Sequence, residues 1–266
     1  MTSFYTVLLT IILYLAATSM IAKRLKDTAH QQSKKNIIIA SAIAILLHGL
    51  ILNNLIITSA GFNLSLFNTL SASMLIISLL SLTAFSFRPL DLLLMLILPV
   101  TASSLILAWM FPTTHLLPLD SPVGLRIHVL ISIIAYSLMG LAALHAIFLS
   151  IQNNHLHNHQ TGGIVRLLPP LQVMEKLLFE IILTGFILLS AALGSGFFFL
   201  ENLFDQHLVH KTILSILAWA LFAVLLLGHW FMGWRGRTAV RWTIGGFVCL
   251  MLAYIGSKFV LEFIIS

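Results

Sequence analysis

Long uncharged apolar runs alternate with short polar segments along this chain, and each run is long enough to cross a bilayer as a helix. A hydrocarbon core of about 30 Å needs about 20 helical residues at 1.5 Å per residue. The pattern therefore predicts eight spans, at about 3–22, 36–57, 66–87, 90–110, 124–150, 177–200, 211–231 and 240–262.

Composition supports the same assignment. Of 266 residues, 59% are hydrophobic and 8% are charged, and the mean hydropathy is +1.05, whereas soluble domains have about a quarter charged residues. We therefore expect an all-α polytopic membrane protein, a bundle of eight helices forming one membrane domain over residues 1–266 in a lipid bilayer. The single cysteine, Cys249, excludes a disulfide within the chain and a cluster of thiolate ligands.

Lysine and arginine are distributed unequally between the two faces of the membrane. Connections after odd-numbered spans lie on one face, and connections after even-numbered spans lie on the other. Eleven of the 14 follow an odd-numbered span: Lys23, Arg24, Lys26, Lys34, Lys35, Arg88, Arg166, Lys176, Arg235, Arg237 and Arg241. The positive-inside rule places that side in the cytoplasm and both termini outside, in the periplasm of a Gram-negative bacterium. The net charge of +6 is thus a topology signal, and we expect no nucleic-acid partner. Nothing basic precedes the first span, so it is expected to be a retained helix and not a cleaved signal peptide.

Histidines are the most informative polar residues of the spans. His48 lies in span two, His128 and His145 lie in span five, and His210 and His229 mark the outer and cytoplasmic ends of span seven. Ionisable side chains are costly within a membrane and are functional candidates by default. Imidazole without thiolate or carboxylate suits a haem iron, which needs a neutral nitrogen and an apolar slot. The alternative is that each ring hydrogen-bonds a backbone or hydroxyl group across the bundle.

Spacing limits which histidines share a ligand. His210 and His229 are about 28 Å apart along one helix, and His128 and His145 are about 25 Å apart. A two-histidine site must therefore pair different helices at matching depth. Four pairings remain possible. On the outer side, His128 could pair with His210 or His48. On the inner side, His229 could pair with His145 or His48.

The longest connection, 151–176, carries alternating histidines at positions 155, 157 and 159. On an extended segment they would lie on one side and could bind a metal ion, but no carboxylate or cysteine completes the ligand set. A solvated polar loop is the other interpretation. The apolar part behind Pro169 and Pro170 is expected to lie along the membrane interface before span six begins.

Several segments resemble the CcsA/CcmC-type cytochrome c assembly proteins, and within that family the YpjD branch of stand-alone inner-membrane proteins. They are GHWFMGWRGRTAVRWTIGGFVCLMLAYIGS near the C-terminus, RIHVLISIIAYSLMGLAAL (126–144), PPLQVMEKLLFEII (169–182), and LLHGLILNNL with GFNLSLFNTLSASM (46–74). The specific part is GWRGR with the histidine ahead of it. Together the segments extend over about 40–262.

The resemblance implies haem handling, with haem b as the expected cofactor. By position, His128 corresponds to the family's outer-face ligand, His229 to its membrane ligand and His48 to an early histidine, so these three are the expected axial ligands. The tryptophan-rich outer loop of the haem-delivering members is absent, because residues 200–210 read LENLFDQHLVH. No histidine follows in the last helix either.

The arginines of GWRGR have two interpretations. Arg235 and Arg237 on a cytoplasmic turn fix orientation in any helical hairpin. Alternatively, their guanidinium groups bind the haem propionates, because arginine suits bidentate recognition of carboxylates.

We therefore expect a haem-binding protein of a bacterial inner membrane that assists cytochrome c maturation or handles haem across the membrane. Its partners would be haem and, beyond it, apocytochrome c or other maturation proteins. The alternatives are a transporter of another small molecule and a cofactor-free assembly or regulatory scaffold. An enzyme is not expected, because the sequence has no nucleophile–base pair, phosphate loop or metal-hydrolase motif.

Overall fold

A computed structural model describes residues 4–26, 33–158, 162, 167–199 and 206–256, with only the backbone for residues 199 and 206–210. In the described part of the chain, eight helices are long and apolar enough to cross a membrane, which confirms the all-α polytopic fold. They are α1 Phe4–Lys26, α2 Lys34–Ile56, α3 Leu66–Phe87, α4 Asp91–Met110, α5 Val123–His157, α6 Leu171–Phe199, α7 Gln206–Met232 and α8 Gly236–Met251. A π-helical turn, Leu252–Gly256, continues α8. The orientation of the termini stays a prediction.

Most of the observed helices differ from the predicted spans by a few residues, and α5 and α6 extend furthest beyond them. α5 does not end at 150 but continues to His157, and α6 begins at Leu171 and not at 177. Residues 171–176, expected ahead of span six, form the first turns of α6, and their place at the membrane interface stays a prediction. Helical backbone continues past the apolar run in both cases, since its hydrogen bonds are internal and do not depend on lipid.

The chain forms two compact units, one with α1–α4 and the other with α5–α8. In each unit every helix packs against its neighbours in sequence, and the first helix packs against the last, so each is a closed four-helix bundle. That residues 1–266 form one membrane domain stays a prediction.

The first unit also contains a small antiparallel sheet that the hydropathy pattern did not predict. Its strands are β1 Ile57–Thr58, β2 Gly61–Asn63 and β3 Leu116–Leu117, in the order β1–β2–β3. Phe62 pairs with both Ile57 and Leu117. The sheet links the connections that follow α2 and α4.

The core of the first unit combines large side chains with small ones. Tyr14 and Ile21 of α1 pack with Phe85 of α3 and with Leu94 and Leu98 of α4, all fully buried. In the second unit, α5 packs most extensively against α6. α5 carries buried alanines at positions 142, 143 and 146, and small residues of this kind let membrane helices approach closely.

An ion pair fastens the first unit at the end predicted to be cytoplasmic. Nε of Arg24, in the last turn of α1, lies 3.0 Å from Oδ1 of Asp91, the first residue of α4. The Asp91 side chain is 10% exposed and that of Arg24 is 30% exposed. The carboxylate therefore depends on this partner more than the guanidinium does.

Replacing Arg24 with alanine should lower the stability of the protein by about 1–3 kcal/mol, because Asp91 keeps a largely buried charge without its cation. Lys23→Ala is the control: it removes the same charge from the same last turn of α1, but Lys23 is exposed. The measurement is the midpoint of thermal unfolding of both variants in detergent. Equal midpoints for the two variants would show that the ion pair contributes nothing.

Candidate functional site

The GWRGR sequence forms the turn between α7 and α8. α7 ends at Met232, and Gly233 follows with a φ of +67°, in the left-handed region that glycine adopts without steric cost. The N–H of Trp234 then donates to the carbonyl oxygen of Gly228 at 3.1 Å. Gly236, with a φ of +53°, starts α8. The two glycines reverse the chain within three residues.

This turn hydrogen-bonds to His229 in the last turn of α7. Nδ1 of His229 lies 2.9 Å from the carbonyl oxygen of Trp234. Because a carbonyl oxygen only accepts, Nδ1 must carry the hydrogen, and in the neutral ring Nε2 keeps its lone pair. None of the described residues hydrogen-bonds to that Nε2.

Phe179 of α6 fixes the plane of the same ring. The two rings are stacked, with their centroids 3.5 Å apart and their planes at 15°. Phe179 thus covers one face of the imidazole and limits rotation of the ring.

A cavity of about 350 Å³ lies beside His229. This volume is within the range of about 300–1,000 Å³ found for small-molecule and cofactor sites. Its lining consists of Glu175, Lys176, Phe179, Glu180 and Leu183 from α6, His229 and Trp230 from α7, and Arg235 from the turn. It thus has an apolar wall, two cations, two carboxylates and an imidazole.

The two arginines of the turn have different environments. Arg235 lines the cavity. Nη2 of Arg237 instead points to Oδ1 of Asn154 in α5, at 3.4 Å. Both side chains are exposed, so a ligand in the cavity can be reached by Arg235, while Arg237 braces the turn against α5.

His128 has the same hydrogen-bonding arrangement as His229 at the other end of the second unit. Its Nδ1 lies 3.0 Å from the carbonyl oxygen of Ala192 and 3.0 Å from Oγ of Ser195, both in α6. The carbonyl again requires the hydrogen on Nδ1, so Nε2 of the neutral ring holds the lone pair. Within the described ranges this Nε2 also has no hydrogen-bond partner.

Helix α6 shows how far apart these two rings are. His229 is stacked on Phe179 and His128 is bonded to Ala192. Thirteen residues separate those two positions, about 20 Å along the helix. His128 and His229 therefore cannot bind one iron together.

His145 and His48 are fully buried, and both are bonded differently. Nε2 of His145 lies 2.9 Å from the carbonyl oxygen of Met174, so here Nε2 carries the hydrogen and ties α5 to α6. His48 has both nitrogens engaged, Nδ1 with the Tyr14 hydroxyl at 3.1 Å and Nε2 with Oγ of Ser71 at 2.9 Å. For His48 to bind iron, one of the bonds that join α1, α2 and α3 would have to break.

The remaining histidines give less information. His155 and His157 lie in the last turn of α5 and not on an extended segment, so they project to different sides of a helix. His159 lies outside the described residues, as does the side chain of His210. Among the residues that are described, no three His, Cys, Asp or Glu side chains form a group able to hold a metal ion.

Sequence reasoning missed three parts of the site. They are the Phe179 ring, the Trp234 carbonyl and Glu175, whose Oε1 accepts a hydrogen bond from the N–H of Gly236 at 2.9 Å. The segment PPLQVMEK is part of the family resemblance, but no periodicity in the sequence connects Glu175 to a turn 61 residues away.

The fold and the site define a class: a multi-span helical membrane protein with a histidine-edged cavity where one four-helix unit turns from its third helix to its fourth. Comparison with known proteins specifies the family. The model of the cytochrome C assembly protein family matches residues 36–265, and the chain belongs to that family.

Two relatives are informative. The chain is 34% identical over 230 residues to "Inner membrane protein YpjD" of Escherichia coli K12, which covers 85% of this chain and 87% of that protein. It is 29% identical over 209 residues to an uncharacterized 28.8 kDa protein of Azospirillum brasilense, covering 77% of each. No solved structure matches the chain.

The packing at Gly228 gives a prediction for the turn. A methyl group at this position would overlap the indole ring of Trp234, so Gly228→Ala should displace the ring and destabilise the protein by about 1–3 kcal/mol. Gly245→Ala in α8 is the matched control, since its methyl group would meet nothing within 4 Å. Thermal unfolding in detergent, followed together with tryptophan fluorescence, measures both. An unchanged emission spectrum and midpoint in Gly228→Ala would contradict the packing described.

Proposed function

We propose that this chain is a haem-binding protein of a bacterial inner membrane that assists cytochrome c maturation or moves haem across the membrane, without catalysing a reaction itself. The observation that carries the proposal is the state of His229. Its Nδ1–H is held by a backbone carbonyl, which leaves the lone pair on Nε2, and its side chain lines a cavity. Family membership and the name of the Escherichia coli relative support the membrane and the process.

The residues present fit a haem. Histidines that bind metals almost always donate their other ring N–H to a carbonyl or carboxylate, which fixes the tautomer and makes the ligating nitrogen more basic. His229 and His128 both have this arrangement. Phe179 and Leu183 give the cavity apolar surface for a porphyrin, and Arg235 and Lys176 provide cations for its propionates. When bound, haem b supplies an iron centre that accepts a neutral imidazole as an axial ligand.

The two histidines act at different stages in this proposal. They are too far apart along α6 for one iron, so each would hold haem at its own end of the second unit. His229 would bind it at the end predicted to face the cytoplasm, and His128 at the outer end. Haem and a maturation protein or apocytochrome c that receives it are the proposed partners.

Haem titration of the detergent-purified protein, followed by the Soret band, tests the proposal. In protein that carries His128→Ala, so that only the site at His229 is observed, His229→Ala should weaken haem binding by more than about 100-fold, since loss of a second-shell partner alone costs about 10- to 100-fold. His155→Ala is the control, because His155 bonds to the carbonyl of Ile151 within α5. A wild-type protein that forms no Soret band would favour the cofactor-free scaffold instead.

The two arginines should respond differently in the same titration. Arg235→Ala removes a cation from the cavity and should weaken haem binding about tenfold, the effect of losing a charged hydrogen bond of about 1.5 kcal/mol. Arg237→Ala removes the same charge from the same turn but nothing from the cavity, so its haem affinity should stay near that of the wild type. Equal losses in both variants would point to overall charge and not to a contact with the propionates.

A further inference from the structure

Glu175 provides the N-terminal cap of a helix to which it does not belong. Its Oε1 accepts a hydrogen bond from the N–H of Gly236, the first residue of α8, at 2.9 Å. The first N–H groups of a helix have no partner within it, and a negative charge is stabilising there. Arg235, at the N-cap position of α8, makes no side-chain capping bond. The cap therefore comes from α6.

This cap is close in sequence to the carbonyl that orients His229. Only Arg235 separates Gly236 from Trp234, and it is extended, with φ −147° and ψ −179°. Fixing the N–H of Gly236 on α6 thus restrains where the Trp234 carbonyl lies. On its other side Trp234 is held by the bond from its N–H to Gly228.

The other support of the turn is weaker. The contact of Arg237 with Asn154 is 3.4 Å long and involves an exposed side chain. The Glu175 bond is shorter and charge-assisted, so it should contribute more. If the Glu175 bond is lost, the turn keeps its glycines but loses this attachment to α6.

We propose that Glu175 is a positioning residue for His229, an inference that rests on the proposed haem-binding function. By holding Gly236, its carboxylate keeps the Trp234 carbonyl in place to accept the Nδ1 hydrogen. Nε2 is thereby kept as the nitrogen presented to the cavity. The negative charge of Glu175 strengthens this bond, but an uncharged acceptor oxygen at the same place would also hold the N–H of Gly236.

The first test needs no haem. In cofactor-free protein labelled with ¹⁵N-histidine, the ring-nitrogen chemical shifts of His229 report which nitrogen carries the hydrogen. Wild type and Glu175→Gln, whose amide oxygen still accepts, should show the Nδ1–H tautomer, and Glu175→Ala should show a mixture of both tautomers. Glu180→Ala is the matched control, since Glu180 lines the same cavity from the same helix and its carboxylate pairs with Lys176 of that helix at 4.0 Å, and it should keep the Nδ1–H tautomer. A pure Nδ1–H tautomer in Glu175→Ala overturns the inference.

The second test uses the haem complex. Glu175→Ala should weaken haem binding about 10- to 100-fold, the cost of losing a second-shell partner, and Glu175→Gln should restore it. If Glu175→Ala does not accumulate, Glu175→Asp replaces it, because the shorter side chain draws the acceptor away from Gly236. Haem binding that is unchanged in Glu175→Ala contradicts the inference and leaves the proposed function standing. A wild type that binds no haem contradicts the proposed function, while the tautomer comparison still decides the role of Glu175.

Discussion

The hydrogen bond from Nδ1 of His229 to the carbonyl of Trp234 joins the two features on which the site depends. One is a chain reversal at the end of a membrane helix, where backbone groups lose their helical partners and must find others. The other is an imidazole that must offer a lone pair on a known side. A single bond satisfies the free carbonyl and also selects the tautomer. The glycines at positions 233 and 236 make it possible, because they bring the carbonyl back towards the helix that has just ended.

Helix α6 is the element against which the rest of the second unit is organised. It presents Phe179 to the His229 ring, Glu175 to the start of α8, the Met174 carbonyl to His145, and Ala192 and Ser195 to His128. Three histidines on two other helices are thus oriented by one helix. For His128 and His145, carbonyls of α6 also determine which ring nitrogen keeps its lone pair, whereas for His229 the Trp234 carbonyl of the turn does so. His145 receives the opposite tautomer from His128 and His229, and this distinguishes it from them more clearly than its depth in the membrane does.

Much of the fold follows from hydropathy alone, because a bilayer imposes one length and one kind of secondary structure on every span. The eight helices were predictable for that reason. The ends of α5 and α6 were not, since Gln152 and Lys176 lie in helical turns outside the apolar runs. The small sheet of β1–β3 depends on pairing between connections about 50 residues apart, which no local pattern shows.

The candidate site was predictable only in part. Ionisable side chains are costly to place within a membrane, and this made four histidines candidates together: His48, His128, His145 and His229. The resemblance to a family favoured His128 and His229. What separates them physically is the partner of each ring nitrogen: a hydroxyl pair for His48, a carbonyl on Nε2 for His145, and a carbonyl on Nδ1 for the other two. Partners of this kind belong to tertiary structure. The separate environments of Arg235 and Arg237 have the same origin, since only packing brings Asn154 to one and the cavity to the other.

The central claim is that Nε2, and not Nδ1, of His229 is the nitrogen presented to iron. Electron–nuclear double resonance of the ferric haem complex measures this directly when the protein carries histidine labelled with ¹⁵N at one ring position only. In protein that carries His128→Ala, so that one histidine site remains, the account predicts a strong ¹⁵N coupling from the Nε2 label that is lost when His229→Ala is added, and none of that strength from the Nδ1 label. A strong coupling from Nδ1, or no histidine coupling from either label, would contradict it.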